Sequence, residues 1–192
     1  MKHLLGCAVL LASNLLFAQS AAIPDNQDLT KLYNADQSER KGPDADWNAV
    51  YHHDIDRREQ LRRMLADGKV DTGLDYYHAA MIFQHGQNPD DFLFAHVLAV
   101  TAVSKGNLDA RWLCAATLDR YLRSIWQPQI YGTQYQMTPE KQWVRQAMNE
   151  TLISDSMRAA ACVVSLAKQK QNLAGSSESK PPGSTSVEDC PK

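Results

Sequence analysis

The sequence predicts a mainly α protein: an antiparallel helical array built from αα-hairpins, with a small C-terminal β-hairpin. Three observations predict it. Apolar residues recur at helical spacing in four consecutive segments between Trp47 and Trp126. Each segment is bracketed by cap and stop residues, and the connections are short enough to make successive helices antiparallel neighbours. After Trp126 the apolar period shortens to alternation, the period of a strand.

The elements follow in order. Lys2 and His3 precede an apolar run from Leu4 to Phe17, broken only by Ser13 and Asn14, and Ala18-Gln19-Ser20 supplies small residues at signal-peptidase spacing. Residues 1–22 therefore read as a secretory signal peptide, with the mature chain starting between Ala21 and Ile23. The run is too short for an ordinary membrane span. Leu4-Leu5-Gly6-Cys7 has the form of a lipoprotein box but lacks a preceding apolar segment. Residues 23–46 are a polar lead-in with Pro24, Gly42 and Pro43, with room for a helix around Leu29 to Glu39. The predicted helical domain spans 47–174. Its first helix carries Trp47, Val50, Tyr51, Ile55, Leu61, Met64 and Leu65 and stops before Gly68. Thr72-Gly73-Leu74-Asp75 has the form of a capping box, and its helix runs to about His85, ahead of Gly86. Asn88-Pro89-Asp90-Asp91 opens the next helix, with proline at the first helical position, and Gly106 ends it. Asn107 is the expected cap of a fourth helix whose face is Leu108, Trp112, Ala115, Leu118, Leu122 and Ile125. A β-hairpin is expected near 131–147, turning at Thr138-Pro139-Glu140-Lys141. A last helical region spans about Ser154 to Leu173, and 175–192, rich in Ser, Pro, Gly and charge, reads as a disordered tail.

Composition excludes several functions. Acidic residues outnumber basic ones 22 to 20, which gives no electrostatic case for nucleic acid. No basic amphipathic helix argues for stable membrane insertion once the leader is gone. Of four cysteines, Cys7 leaves with the leader. Cys114 and Cys162 read as small buried residues. Cys190 reads as a free or intermolecular thiol in the tail, although an exported chain permits a bridge to one of the others. Without C-x-x-C, G-x-S-x-G, S-x-x-K or a phosphate loop, no cofactor is implied and serine-based hydrolysis lacks support. His52 and Asp56 share one helix face, but no third ligand is identifiable, and the neighbouring "DRREQLRR" reads as a solvated, salt-bridged surface, so no metal is expected. His78 and His85 lie two turns apart and would need His96 to share an ion.

The polar candidates lie elsewhere. "QPQIYGTQYQ", Gln127 to Gln136, places four glutamines, two tyrosines and a Gly-Thr pair directly after the fourth helix. His85 ends the second helix, where the dipole favours imidazolium. Asp119 and Arg120 are adjacent on the fourth helix, about 100° apart, and so can flank one groove. A histidine, a carboxylate, a guanidinium and amides can perform acid/base chemistry or bind an anionic group. They can equally form a buried structural network.

Gln84 with His85, Asp119 with Arg120, then Gln129, Tyr131, Gly132, Thr133 and Gln134, and finally Arg158, form a pattern. In it, the chain from Trp47 to Leu173 resembles an uncharacterised family of bacterial domains. The chain departs from that pattern at "ACVVSL", where the family has Gly and Pro before the serine. The resemblance brings no reaction with it and implies only which residues matter. Separately, "YHAAMIFQHG" and "LCAATLDRYL" superpose at a spacing of 36 residues, similar to tetratricopeptide or Sel1-like helix pairs at the level of a single αα-hairpin.

The expectation is an exported module, periplasmic or extracellular, that binds an unidentified protein or small polar ligand in a groove between the helices and the hairpin. Its ligand-binding candidates are Gln84, Gln129, Tyr131, Thr133, Gln134 and Arg158. The alternative is a small hydrolase or transferase with His85 as acid/base, Asp119 beside it and Arg120 holding an anionic group. Gln134, with Tyr131, is expected to lie close to His85 and to Asp119 or Arg120.

Overall fold

Seven helices and one two-stranded antiparallel sheet make up the described residues, 23–42, 45–182 and 190, of the computed structural model. The predicted leader lies outside them. The order is α1 (Gln27–Glu39), α2 (Trp47–Ala66), α3 (Gly73–Phe83), α4 (Pro89–Ser104), α5 (Ala110–Ser124), β1 (Tyr135–Met137), β2 (Trp143–Arg145), α6 (Asp155–Ala160) and α7 (Leu166–Ala174). The chain is mainly α, with the small sheet near its C-terminal end. No helix among the described residues is long and apolar enough to cross a membrane.

The centre is the α3–α4–α5 array, in which α4 packs extensively against both neighbours. The alanines explain the close approach. Ala79, Ala80, Ala95, Ala99, Ala102, Ala115 and Ala116 are all buried, so the helix backbones meet with little side-chain bulk between them. Leu29, Leu61, Ile82, Phe83, Leu98 and Leu113 fill the remaining core, each contributing about 1.5–3 kcal/mol of burial. Phe83 meets Phe94 edge to face at 4.8 Å.

Local punctuation sets the helix limits. Thr72 and Asp75 form the reciprocal capping box. Asn88 accepts from the Asp91 amide, with Pro89 at the first helical position. Asn107 is not the cap of α5. Its side chain accepts from the Asp109 amide, and one further turn intervenes before α5 begins at Ala110. Four helices end in the same paired backbone hydrogen bonds, closed by one residue in the left-handed region. Gly68 closes α2 and Gly106 closes α4. Trp126 closes α5 at φ 61° and Cys162 closes α6 at φ 57°.

Helix α1 lies within the polar lead-in, where there was room for a helix around Leu29 to Glu39. Asn26 caps it, and Leu29 is fully buried against the core. The dock is otherwise polar, which is why hydrophobic periodicity does not reveal it. Asn26 donates to the Lys69 carbonyl, its backbone amide to Asp75, and the Thr72 hydroxyl to Asp25. The helical region expected over Ser154 to Leu173 consists of two helices. The break falls at Cys162, whose positive φ ends α6, and Ser165 caps α7. Cys162 is disulfide-bonded to Cys190, with Cα atoms 4.8 Å apart. Cys190 is therefore not the free tail thiol expected. Among the described residues Cys114 is the free one, half-buried, and burial pushes its thiol up to about 11.

The dock of α1 on α3 has a titration signature. His78 is buried and stacks on Tyr33 with ring centroids 4.2 Å apart. Burial pulls its imidazole below the ordinary value, against the raising effect of the Asp75 and Asp25 carboxylates. The unfolded chain, with its imidazole near the ordinary value of about 6.5, then binds the proton more tightly. This contribution to stability is complete above about pH 6.5 and declines as pH falls through the lower folded pKa. Proton NMR titration is expected to find His78 titrating below the ordinary imidazole value of about 6.5. A His78 midpoint at or above that value would refute the burial account.

Candidate functional site

The polar residues singled out in the sequence fall into two separate hydrogen-bonded centres. The first is built on Asp119. It is fully buried on α5, and the chain after the helix wraps around its carboxylate. Oδ1 accepts from the amides of Ile130 at 2.8 Å and Tyr131 at 3.0 Å. Oδ2 accepts from the amide and hydroxyl of Thr133 at 3.0 and 2.9 Å. Four charge-assisted donors fill the carboxylate's acceptor positions. This is why the strand expected to begin at Tyr131 begins only at Tyr135. The intervening amides turn towards Asp119 instead of a ladder partner. Strand pairing starts at Tyr135 with Arg145 and closes at Met137 with Trp143.

Local sequence makes the wrap possible. Pro128 prevents α5 from continuing. Gly132 sits at φ 85°, and a Cβ there would also overlap the Gln169 side chain. That side chain is fixed, since its amide donates to the carbonyls of Tyr131 and Val164. Gln129, 1% exposed, acts as a strand substitute. Its side chain accepts from the Gln134 amide and donates to the carbonyls of Gln134 and Gln146. Gln134 donates to the Ala116 carbonyl at 3.2 Å and to the Thr133 hydroxyl at 3.0 Å. Burial, followed by the Asp119 charge, raises the Tyr131 phenol. Arg158 holds a neighbouring loop, donating to the carbonyls of Ile153 and Glu150 and to Asp155.

The second centre is built on His85. Its Nδ1 lies 3.0 Å from Oδ1 of Asp36, a fully buried carboxylate of α1. Arg40 binds both oxygens of Asp54 at 2.6 Å. Arg57 bonds Asp54 at 2.8 Å and Glu39 at 3.0 Å and lies 3.6 Å from Asp36. Arg58 donates to the His85 carbonyl and approaches Asp91, which Arg62 also pairs. Burial acts against the Asp54 carboxylate, but hydrogen bonds from Arg40 and Arg57 outweigh it and hold the pKa below the usual range. Asp36, Asp54 and His85 place ligand atoms within 4.8 Å of one another. Arg40 and Arg57 already supply the positive charge among them. His52 and Asp56 are both exposed.

Asp119 and Arg120, adjacent on α5, serve different centres. Asp119 faces the hairpin, and Arg120 donates to the Gln84 carbonyl at 2.6 Å, at the end of α3. Gln84 is itself buried, its amide against the Met81 sulfur. Gln134 lies in the Asp119 network, sharing the Thr133 hydroxyl with it, whereas the side-chain partner of His85 is Asp36. Sequence reasoning missed Asp36, Arg40, Asp54 and Arg57. Their i,i+4 and i,i+3 spacings were visible, but "DRREQLRR" read as a solvated face. Arg57 and Arg58 are in fact buried, while Arg62 and Arg63 are exposed.

Two openings lie at the end of α5. A groove of about 640 Å³ runs between the end of α5 and the hairpin, lined by Arg123, Ser124, Trp126, Gln127, Pro128, Gln129, Gln136, Gln146 and Ala147. A recess of about 320 Å³ is lined by Gly86, Phe92, Arg120, Arg123 and Ser124. Arg123 and Ser124 belong to both walls. Trp126 is 94% exposed at the groove. Comparisons with family models, curated proteins and solved structures give no match for the chain.

Proposed function

We propose that the protein is an exported binding module that takes an unidentified protein segment or small polar ligand in the groove between α5 and the hairpin. Trp126 carries this reading. It occupies the left-handed closing position of a helix, where any side chain costs about 1–2 kcal/mol. Gly68 and Gly106 fill the same position at two other helix ends, and at a third Cys162 makes a disulfide. Trp126 gets no such return from the fold, because its ring is almost entirely in solvent. A strained residue with no structural benefit points to use by a partner. The surrounding Gln127, Gln136 and Gln146 amides supply donors and acceptors beside an apolar ring, the usual make-up of a specific polar site.

Trp126→Gly tests this. Relief of strain, partly offset by the greater freedom of glycine in the unfolded chain, is expected to raise stability by about 0.5–1 kcal/mol in urea denaturation. The same variant is expected to lose the thermal shift that a peptide and polar-metabolite screen produces with the mature wild-type chain. Loss of stability in the variant, or equal ligand responses from both proteins, would sink the reading.

One observation favours the second reading, a small hydrolase or transferase. Asp36 fixes the Nδ1 side of His85, while Nε2 has no protein partner among the described residues. An imidazole oriented by a buried carboxylate is the arrangement of a general base, with Arg120 near enough through Gln84 to hold an anionic substrate group. Asp119 has no part in that chemistry, because its carboxylate is fully engaged by the loop.

A further inference from the structure

Arginines in this fold come with carboxylates. Arg40, Arg57, Arg58, Arg145 and Arg158 are each paired with an Asp or Glu. Arg120 and Arg123 are not: among the described residues no carboxylate forms an ion pair with either. Arg120 spends one N–H on the Gln84 carbonyl, and its guanidinium lies 6.0 Å from the centre of the Phe92 ring. Four of its five N–H groups therefore remain. Arg120 is half-buried and none of its nitrogens is among the buried atoms left without a partner, so these N–H groups face the open recess. Burial, with the like charges of Arg123 and Arg40, pulls the guanidinium down to about 10, so it stays charged at neutral pH.

The recess in front of it has little negative charge left to offer. The α5 carbonyls at its wall are consumed within the helix end: Tyr121 accepts from Ile125 and the Ser124 hydroxyl, Leu122 from Gln127, and Arg123 from Trp126. Asp91, beside Gly86, is held by Arg62, Arg58 and Asn88. Arg120 also suits the end of α3, where a cation complements the helix dipole. That role uses one donor and does not account for Arg123, which lines the same recess.

We infer that Arg120 and Arg123 form an oxyanion subsite in the recess adjoining the groove, which receives a carboxylate or phosphate group of the groove's ligand. The inference rests on the groove being a binding site. Arg123 and Ser124 line both openings, so a ligand lying along the glutamines and Trp126 would bring its anionic end to that shared wall. A guanidinium fork matches the paired oxygens of either group, and an ammonium does not.

The test is an NMR titration of the ¹⁵N-labelled mature protein with inorganic phosphate and, in a parallel arm, acetate. Saturable shifts are expected at the amides of Gly86 and Ser124 and at the Arg120 Nε–H. The arm that binds more tightly identifies the preferred group. Arg120→Lys is expected to weaken binding at least tenfold, since charge is kept and the fork is lost. Arg123→Gln, at an exposed position, is expected to weaken it at least threefold. If the anion binds through Arg120 and Arg123 while Trp126→Gly leaves groove ligands unaffected, the groove reading fails and the subsite stands. Non-saturable shifts, shifts spread over exposed basic residues such as Arg62, Arg63 and Lys69, or affinities indifferent to both arginine variants would overturn the subsite.

Discussion

Asp119→Ala is expected to cost at least about 4 kcal/mol and to release the segment from Ile130 to Gln134. The substitution removes one carboxylate and strands three backbone amides and a hydroxyl that have no other acceptor. Each buried group left unpaired costs about 1–3 kcal/mol, and water entering the loosened loop recovers part of the sum. Asp119→Asn keeps the shape and one carbonyl oxygen but turns an NH₂ towards donors, so an intermediate loss of about 2–3 kcal/mol is expected. Gln134→Ala should lose about 1–3 kcal/mol. In a double-mutant cycle it should couple to Asp119 by about 0.5 kcal/mol or more, because Thr133 Oγ1 bonds both side chains. Urea denaturation of the wild type, the three single variants and the double variant measures these losses. A loss below about 1.5 kcal/mol for Asp119→Ala, or strict additivity with Gln134→Ala, would show that the wrap is held by something else.

Arg57→Ala is expected to cost about 3–5 kcal/mol at neutral pH, the usual penalty for leaving buried charge uncompensated. Arg57 is the residue shared by Asp36, Asp54 and Glu39. Without it, Arg40 is the one arginine left between two buried carboxylates from α1 and α2, with His85 beside Asp36. The penalty carries a pH sign. Asp54 is depressed in the folded protein, so its pairing contributes fully above the unfolded carboxylate value of about 3.9 and is lost as pH falls through the lower folded value. The gap between wild type and Arg57→Ala should therefore be widest near pH 7 and narrow as pH falls to about 4 and below. A gap independent of pH would mean that the loss is one of packing rather than of charge.

What the sequence determined by itself is what neighbouring residues decide among themselves. Thr72 reaches Asp75, Asn88 reaches Asp91, and Gly68 and Gly106 close their helices, all within a turn or so of backbone. Residue type and spacing were therefore enough to bound α2, α3 and α4. The mainly helical class and the position of the hairpin turn were legible for the same reason. The tertiary structure decided everything that depends on residues far apart in the chain. Asp36 meets His85 across 49 residues, so a helix within the polar lead-in became one wall of a charged centre. Arg57 and Arg63 are indistinguishable in the string "DRREQLRR". Only the docking of α1 makes the first buried and leaves the second in solvent. Asp119 and Arg120 were both visible as candidates, but their division between two centres follows from the 100° step of the helix together with what packs on each side. The Cys162–Cys190 bridge was open to several pairings until the chain path brought the two sulfurs together. Hydrophobic periodicity registers burial of apolar surface, whereas these contacts bury charge against charge, and charge pairs leave no periodic trace from which the partner can be read.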